Sequence, residues 1–96
     1  MIKHIVCFKL AQPTEELLQK TKEILLSMQG VVPEIKAISV GVDVLHSSRS
    51  YDIILEVVVE NMVSLDTYQN DPYHCGVVKK HMHEVASNSI ALDCEI

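Results

Sequence analysis

Residues 51–60, YDIILEVVVE, alternate at period two, and both faces of the resulting strand need a cover. Tyr51, Ile53, Leu55, Val57 and Val59 share one face; Asp52, Ile54, Glu56, Val58 and Glu60 share the other. The first face is wholly apolar, as burial under helices requires. The second sets Ile54 and Val58 around a carboxylate, too apolar for water and too charged for an ordinary core. Such a strand belongs in the middle of a sheet covered on both sides, and one cover has to accommodate Glu56.

The rest of the chain supplies the partners. Residues 2–10 alternate in the same way, with Ile2, His4, Val6, Phe8 and Leu10 against Lys3, Ile5, Cys7 and Lys9. Thr14 followed by Glu15 and Glu16 is a helix start, a hydroxyl cap with acidic residues at the positive end of the dipole. Leu17, Leu18, Thr21, Ile24, Leu25 and Met28 follow at helical spacing, and Gly30 ends the helix. A second strand is expected from about Ile35 to Val44, and LHSSRS connects it to the third. After Glu60 a helical stretch breaks at Asn70–Pro72. It resumes to about Ala86 with Asp71 as cap and Pro72 at the first helical position. Ser87–Ser89 punctuate, and a fourth strand from Ile90 sets Ile90, Leu92, Cys94 and Ile96 against Ala91, Asp93 and Glu95.

The order βαββαβ predicts an α+β, ferredoxin-like protomer: one four-stranded antiparallel sheet, strands one and three central, both helices on one side. The helices are expected over His4, Val6, Phe8, Ile53, Leu55, Val57, Val40, Val42 and Leu92. The other face then carries Ile5, Cys7, Ala37, Ile54, Glu56, Val58 and Ala91. The simplest cover for it is the same face of a second copy, giving a homodimer through Ile5, Cys7, Ile54, Glu56 and Val58, with Glu56 paired to Lys3, Lys9 or another polar group.

Composition narrows the function classes. With a formal charge of −5 and eight scattered basic residues, no stripe tracks a phosphate backbone, so nucleic acid is not an expected partner. No apolar run reaches the ~18 residues of a membrane helix, and MIKHIVCFKL alternates too strictly for a secretory signal, which predicts a cytoplasmic protein. Cys7, Cys75 and Cys94 lack CxxC spacing and read as small buried hydrophobes in a reducing compartment, with no zinc set. The 96 residues read as a single domain, 1–96.

The opening IKHIVCFKL, the YDIILEV strand, the TYQNDPYHCGVV segment and the closing IALDCEI resemble the stress-responsive A/B barrel domain (Dabb) family of the dimeric α+β barrel superfamily. The resemblance implies a ferredoxin-like protomer dimerising through its sheet. It also implies a pocket between sheet and helices: a plant polyketide cyclase of this family closes a ring by an aldol step there, using a tyrosine and a histidine. Those match Tyr68 and His74, and His4 matches the strand-one histidine. Two further pocket histidines of the cyclase are replaced by Ile53 and Asp71, which implies a drier pocket. Wider superfamily relatives include small monooxygenases and heme-degrading enzymes.

Three residues are candidates for chemistry: His74, Tyr68 and His4. Near the third helical position after Asp71, His74 meets the positive dipole end, which disfavours imidazolium and leaves a neutral ring able to take a proton. Tyr68 across the helix break would polarise a carbonyl oxygen while His74 removes an α-proton, and His4 would orient the ligand. The competing structural reading is a hydrogen-bonded group tying an irregular helix to the sheet. His81 and His83 lie roughly 200° apart on a helix, so they do not share a metal ion. His81, seven residues after His74, is expected on a similar face. No metal, heme or other cofactor is expected.

The sequence therefore predicts a domain that binds a small apolar carbonyl or phenolic ligand, with cofactor-independent acid/base chemistry of aldol-cyclase or isomerase type as its enzymatic form. Two alternatives stay open. One is a non-catalytic dimerisation module whose core is closed by Phe8, Leu17, Leu55 and Met82; the other is a cofactor-free monooxygenase-like enzyme.

Overall fold

The alternating run becomes strand β3, Ile53–Val59, beside β1, Ile2–Leu10, at the centre of a four-stranded sheet. A computed structural model describing residues 1–96 orders the strands β2-β3-β1-β4, every pair antiparallel, with β2 at Ala37–Val42 and β4 at Ala86–Glu95. Helix α1, Glu15–Leu26, starts where Thr14 Oγ1 accepts from the Leu17 N–H at 3.2 Å. It buries Leu18, Thr21 and Leu25. The following turns pass through Gly30 at φ 81°, a left-handed conformation that glycine adopts freely, and bury Met28 and Val32.

One sheet face is the core. Ile2, Ile53, Leu55, Val57 and Val59 are buried there beneath Leu18 and Leu25 of α1 and Leu65 and Tyr68 of α2, Met62–Gln69. Each such side chain contributes about 1.5–3 kcal/mol when fully buried. Alternation on β1 and β3 matches the sequence reading. Tyr51 lies outside β3, and its ring sits under the Lys9 ammonium at 4.9 Å instead of joining the core face.

Three expectations are corrected. The chain after α2 is not one α-helix from Pro72 to Ala86: it is a π-helical segment, His74–Lys79, then a short α3, Lys80–Val85. The strand does not wait for Ile90, because Ser87–Ser89 already belong to β4, Asn88 and Ser89 pairing with β1 and Ser87 bulging at the register shift beside Lys9 and Leu10. The facing of β4 is also the reverse of the prediction. Register sets Leu92 opposite Ile5, Ile90 opposite Cys7 and Ala91 opposite Val6. Paired residues share a face, so Ile90, Leu92 and Cys94 join the open face and Ala91 and Asp93 the helix side.

The open face thus carries Ile5, Ile54, Val58, Ile90 and Leu92, with Ile54, Ile90 and Leu92 exposed at 37%, 52% and 61%. Its carboxylate is partnered within the chain: Glu56 lies 3.6 Å from Lys3 Nζ and accepts from Ser39 Oγ at 3.2 Å.

Candidate functional site

The break after α2 is made by Asp71. Its Oδ1 accepts from the backbone N–H of Tyr73 at 2.8 Å and of His74 at 3.1 Å, starting the next helical segment as the sequence predicted. That cap fixes where His74 enters the fold. The π-helical segment then shifts the phase of every side chain beyond it. An α-helix turns about 100° per residue, whereas i→i+5 bonding spreads each turn over more residues, so six of them lag by roughly a quarter turn. His81 accordingly faces α1, its Nε2 2.9 Å from Thr21 Oγ1, while His83 comes round to the cavity beside His74. Expecting His81 on the His74 face assumed an unbroken α-helix.

His4, Tyr68 and His74 meet as predicted. The Tyr68 ring lies 4.5 Å from that of His74, tilted by 30°, and 5.8 Å from that of His4 in an edge-on arrangement at 64°. All three residues are buried. The Tyr68 hydroxyl donates to Met28 Sδ at 3.8 Å, and a thioether is a weak acceptor, so this hydroxyl is hardly committed. Burial, and then the negative charge of Asp71, push its pKa far above the ordinary phenol value. Tyr68 stays protonated at any physiological pH.

His74 is held towards its neutral form. Burial lowers its pKa most, followed by the charge of Lys79 and, more weakly, His4; the Gln69 carbonyl and Asp71 act in the opposite sense. The driving cause is therefore desolvation and a neighbouring ammonium, beyond the helix dipole invoked from sequence. Its Nδ1 is buried without a hydrogen-bond partner. Leaving such a group unsatisfied costs about 1–3 kcal/mol, which stability alone does not explain.

Asp93 is the residue that sequence reasoning missed. It sits directly opposite His4 across β1 and β4, and its Oδ1 accepts from His4 Nδ1 at 2.5 Å. A carboxylate can only accept, so Nδ1 carries the proton, and Nε2 is left without a protein partner. The signal was the alternation of strand four read in the opposite phase.

These groups line a cavity of about 590 Å³ between β1, β4 and the broken helix. Val6, Phe8, Leu25, Leu55, Val78 and Met82 form its apolar walls; Gln69, Lys79, His83, Ser87 and Ser89 add polar ones. Phe8, Leu55 and Met82 bound this space rather than fill it, so the packed-shut core considered from sequence is not what forms. No three His, Cys, Asp or Glu side chains converge as a metal set would. No helix is long and apolar enough to cross a membrane.

No curated protein matches the chain. Solved structures do. A dimeric protein of unknown function with a ferredoxin-like fold from Bacteroides fragilis is 26% identical, with TM-score 0.84 over 99% of this chain and 95% of that one. A dimeric ferredoxin-like protein of unknown function from Thermobifida fusca is 19% identical, with TM-score 0.85 over 99% and 90%. The hydroxynitrile lyase of Passiflora edulis, 15% identical with TM-score 0.83 over 99% and 92%, shares the fold. The Stress Responsive A/B Barrel Domain (Dabb) model matches residues 2–96, and the chain belongs to that family.

Proposed function

We propose that this chain binds a small, largely apolar carbonyl or phenolic molecule in the cavity and moves a proton on it without a cofactor. The observation that carries this reading is a buried His74, held towards its neutral form, in the wall of an enterable cavity and stacked on Tyr68, with its Nδ1 left without a partner. His74 acts as the base that takes a proton α to a carbonyl. Tyr68, its hydroxyl held only by a thioether, gives a hydrogen bond to the oxygen where charge gathers once it turns from Met28. His4, fixed by Asp93, presents Nε2 to the ligand. That a structural neighbour is a hydroxynitrile lyase supports acid/base chemistry on this fold, no more.

The protein is further proposed to act as a homodimer through the open sheet face, around Ile5, Cys7, Ile54, Glu56 and Val58, now extended by Ile90 and Leu92. The dimeric state of the relatives from Bacteroides fragilis and Thermobifida fusca supports it.

The test is hydrogen–deuterium exchange at the α-carbon of a panel of small ketones and 1,3-diketones in D₂O, followed by proton NMR. Exchange is expected above the buffer rate, with His74→Ala removing the roughly 10²–10⁴-fold share typical of a positioned base. The rate should fall on acidification below the ordinary imidazole range and hold in mild alkali, because Tyr68 does not ionise there. A buffer-level rate for every compound, equal in wild type and His74→Ala, sets the catalytic reading aside.

A further inference from the structure

The charge of the cavity wall is the opposite of the charge of the chain. The sequence carries 13 acidic and eight basic residues, yet no Asp or Glu lines the cavity, whereas Lys79, His4, His74 and His83 do. The two carboxylates close to it are already engaged, Asp93 with His4 and Asp71 with the backbone of Tyr73 and His74.

Lys79 is the one fixed charge in that wall. It is half-buried, enters no ion pair, and makes a single hydrogen bond, from Nζ to the Gln69 carbonyl at 3.2 Å at the end of α2. An ammonium has three protons to donate, so two remain for a ligand. No carboxylate lies within ion-pair distance of it, so an incoming anion would meet an ammonium free to give a charge-assisted hydrogen bond. Beyond it, Phe8, Leu55, Val78 and Met82 form an apolar stretch of wall, beside the uncharged Gln69, Ser87 and Ser89.

Resting on the reading of this cavity as a ligand site, we infer that its occupant is an apolar carboxylic acid, bound as the anion with its carboxylate on Lys79 and its hydrocarbon body against Phe8, Leu55 and Met82. The volume of about 590 Å³ suits such a molecule, being within the range of small-ligand pockets. A phosphate ester fits less well: a dianion would meet one lysine and no arginine, since the single arginine, Arg49, stands in the connector between β2 and β3.

The experiment is calorimetric titration of octanoate, its neutral amide octanamide and octylammonium into the wild type, Lys79→Gln and Lys79→Arg. Octanoate should bind at least ten-fold tighter than octanamide, and octylammonium weakest. Lys79→Gln should close the gap by weakening octanoate alone, and Lys79→Arg should retain it. If Lys79→Gln does not fold, the wild-type preference is measured from 0.05 to 0.5 M salt, and it should shrink as the charge is screened. Equal affinity for octanoate and octanamide, or a preference indifferent to salt and to Lys79→Gln, overturns the anion assignment and leaves the ligand site standing. Binding of none of the three probes overturns the anion assignment, while the ketone exchange assay separately decides whether the cavity is a ligand site.

Discussion

His4 on β1 gives its Nδ1 proton to Asp93 on β4 at 2.5 Å, and the two residues are direct register partners in the sheet. A one-residue slip of β4 would turn Asp93 to the opposite face, so the tautomer of a cavity histidine depends on strand register. Asp93→Ala should release that constraint. Nitrogen NMR is expected to show His4 fixed as the Nδ1–H form in the wild type and as a mixture in the variant. The stability change should be on the order of 1 kcal/mol, modest because the Asp93 side chain is 38% exposed. An unchanged His4 spectrum in Asp93→Ala would mean the pair does not form in solution.

His74 makes stability depend on pH in a fixed direction. Its folded pKa lies below the ordinary value near ~6.5, so at mildly acidic pH the unfolded chain binds more protons than the folded one. Stability from this group is complete above ~6.5 and is lost as the pH falls through that value towards the folded pKa, with a slope of at most about 1.4 kcal/mol per pH unit. His81 is lowered too, by burial and Lys20 against Glu84, and adds in the same sense but less, being nearer the surface. Urea midpoints between pH 7.5 and 5 should decline, and His74→Gln should flatten the decline. An equal slope in the variant would place the titration elsewhere.

What was legible in the sequence was whatever a single strand or cap decides by itself. Ile53, Leu55, Val57 and Val59 alternate along one strand, so period two assigns them to one face without reference to a neighbour. Asp71 caps through bonds two and three residues ahead, which spacing alone predicts. Strand β4 is different, because its alternation is visible while its phase is fixed only by pairing with β1. Apolar Ile90 and Leu92 then read as core although the core side of β4 carries Ala91 and Asp93. Asp93 was lost with that phase. The π-helical HCGVVK has no residue type peculiar to i→i+5 bonding, and so the turn of His81 away from the cavity was hidden as well.

Tyr68 separates ring from hydroxyl. Its ring is fully buried between His4 and His74, so Tyr68→Ala should cost about 3–5 kcal/mol, as large aromatic truncations in cores do. Its hydroxyl meets only Met28 Sδ, and Tyr68→Phe should therefore shift thermal stability by less than about 1 kcal/mol. In the exchange assay the same Tyr68→Phe change should lower the rate without unfolding the protein. A large loss of stability in Tyr68→Phe would reveal a partner for the hydroxyl stronger than a thioether.

The open sheet face makes the last prediction. Ile5, Ile54, Val58, Ile90 and Leu92 would stabilise a cover by roughly 7–15 kcal/mol if each passed from full exposure to full burial. They begin only partly exposed, with Ile54 at 37% and Leu92 at 61%, so about half of that is available on each copy, or roughly 7–15 kcal/mol when both faces of a pair are counted. Association itself costs about 4–15 kcal/mol, and three side chains would not clear it with margin. Ile90 and Leu92, turned to this face by register, are its most exposed large apolar side chains and so add the most to that sum. Ile54 packs over Gly41, its Cγ2 only 3.0 Å from where a Cβ there would be, so a larger residue at Gly41 would displace it. Sedimentation at micromolar concentration should give a dimer for the wild type and a folded single chain for Leu92→Lys, whose new ammonium would be buried unpaired at the interface. A wild type that sediments as one chain, with Ile54 and Leu92 freely accessible to solvent, would require another cover for a face this apolar.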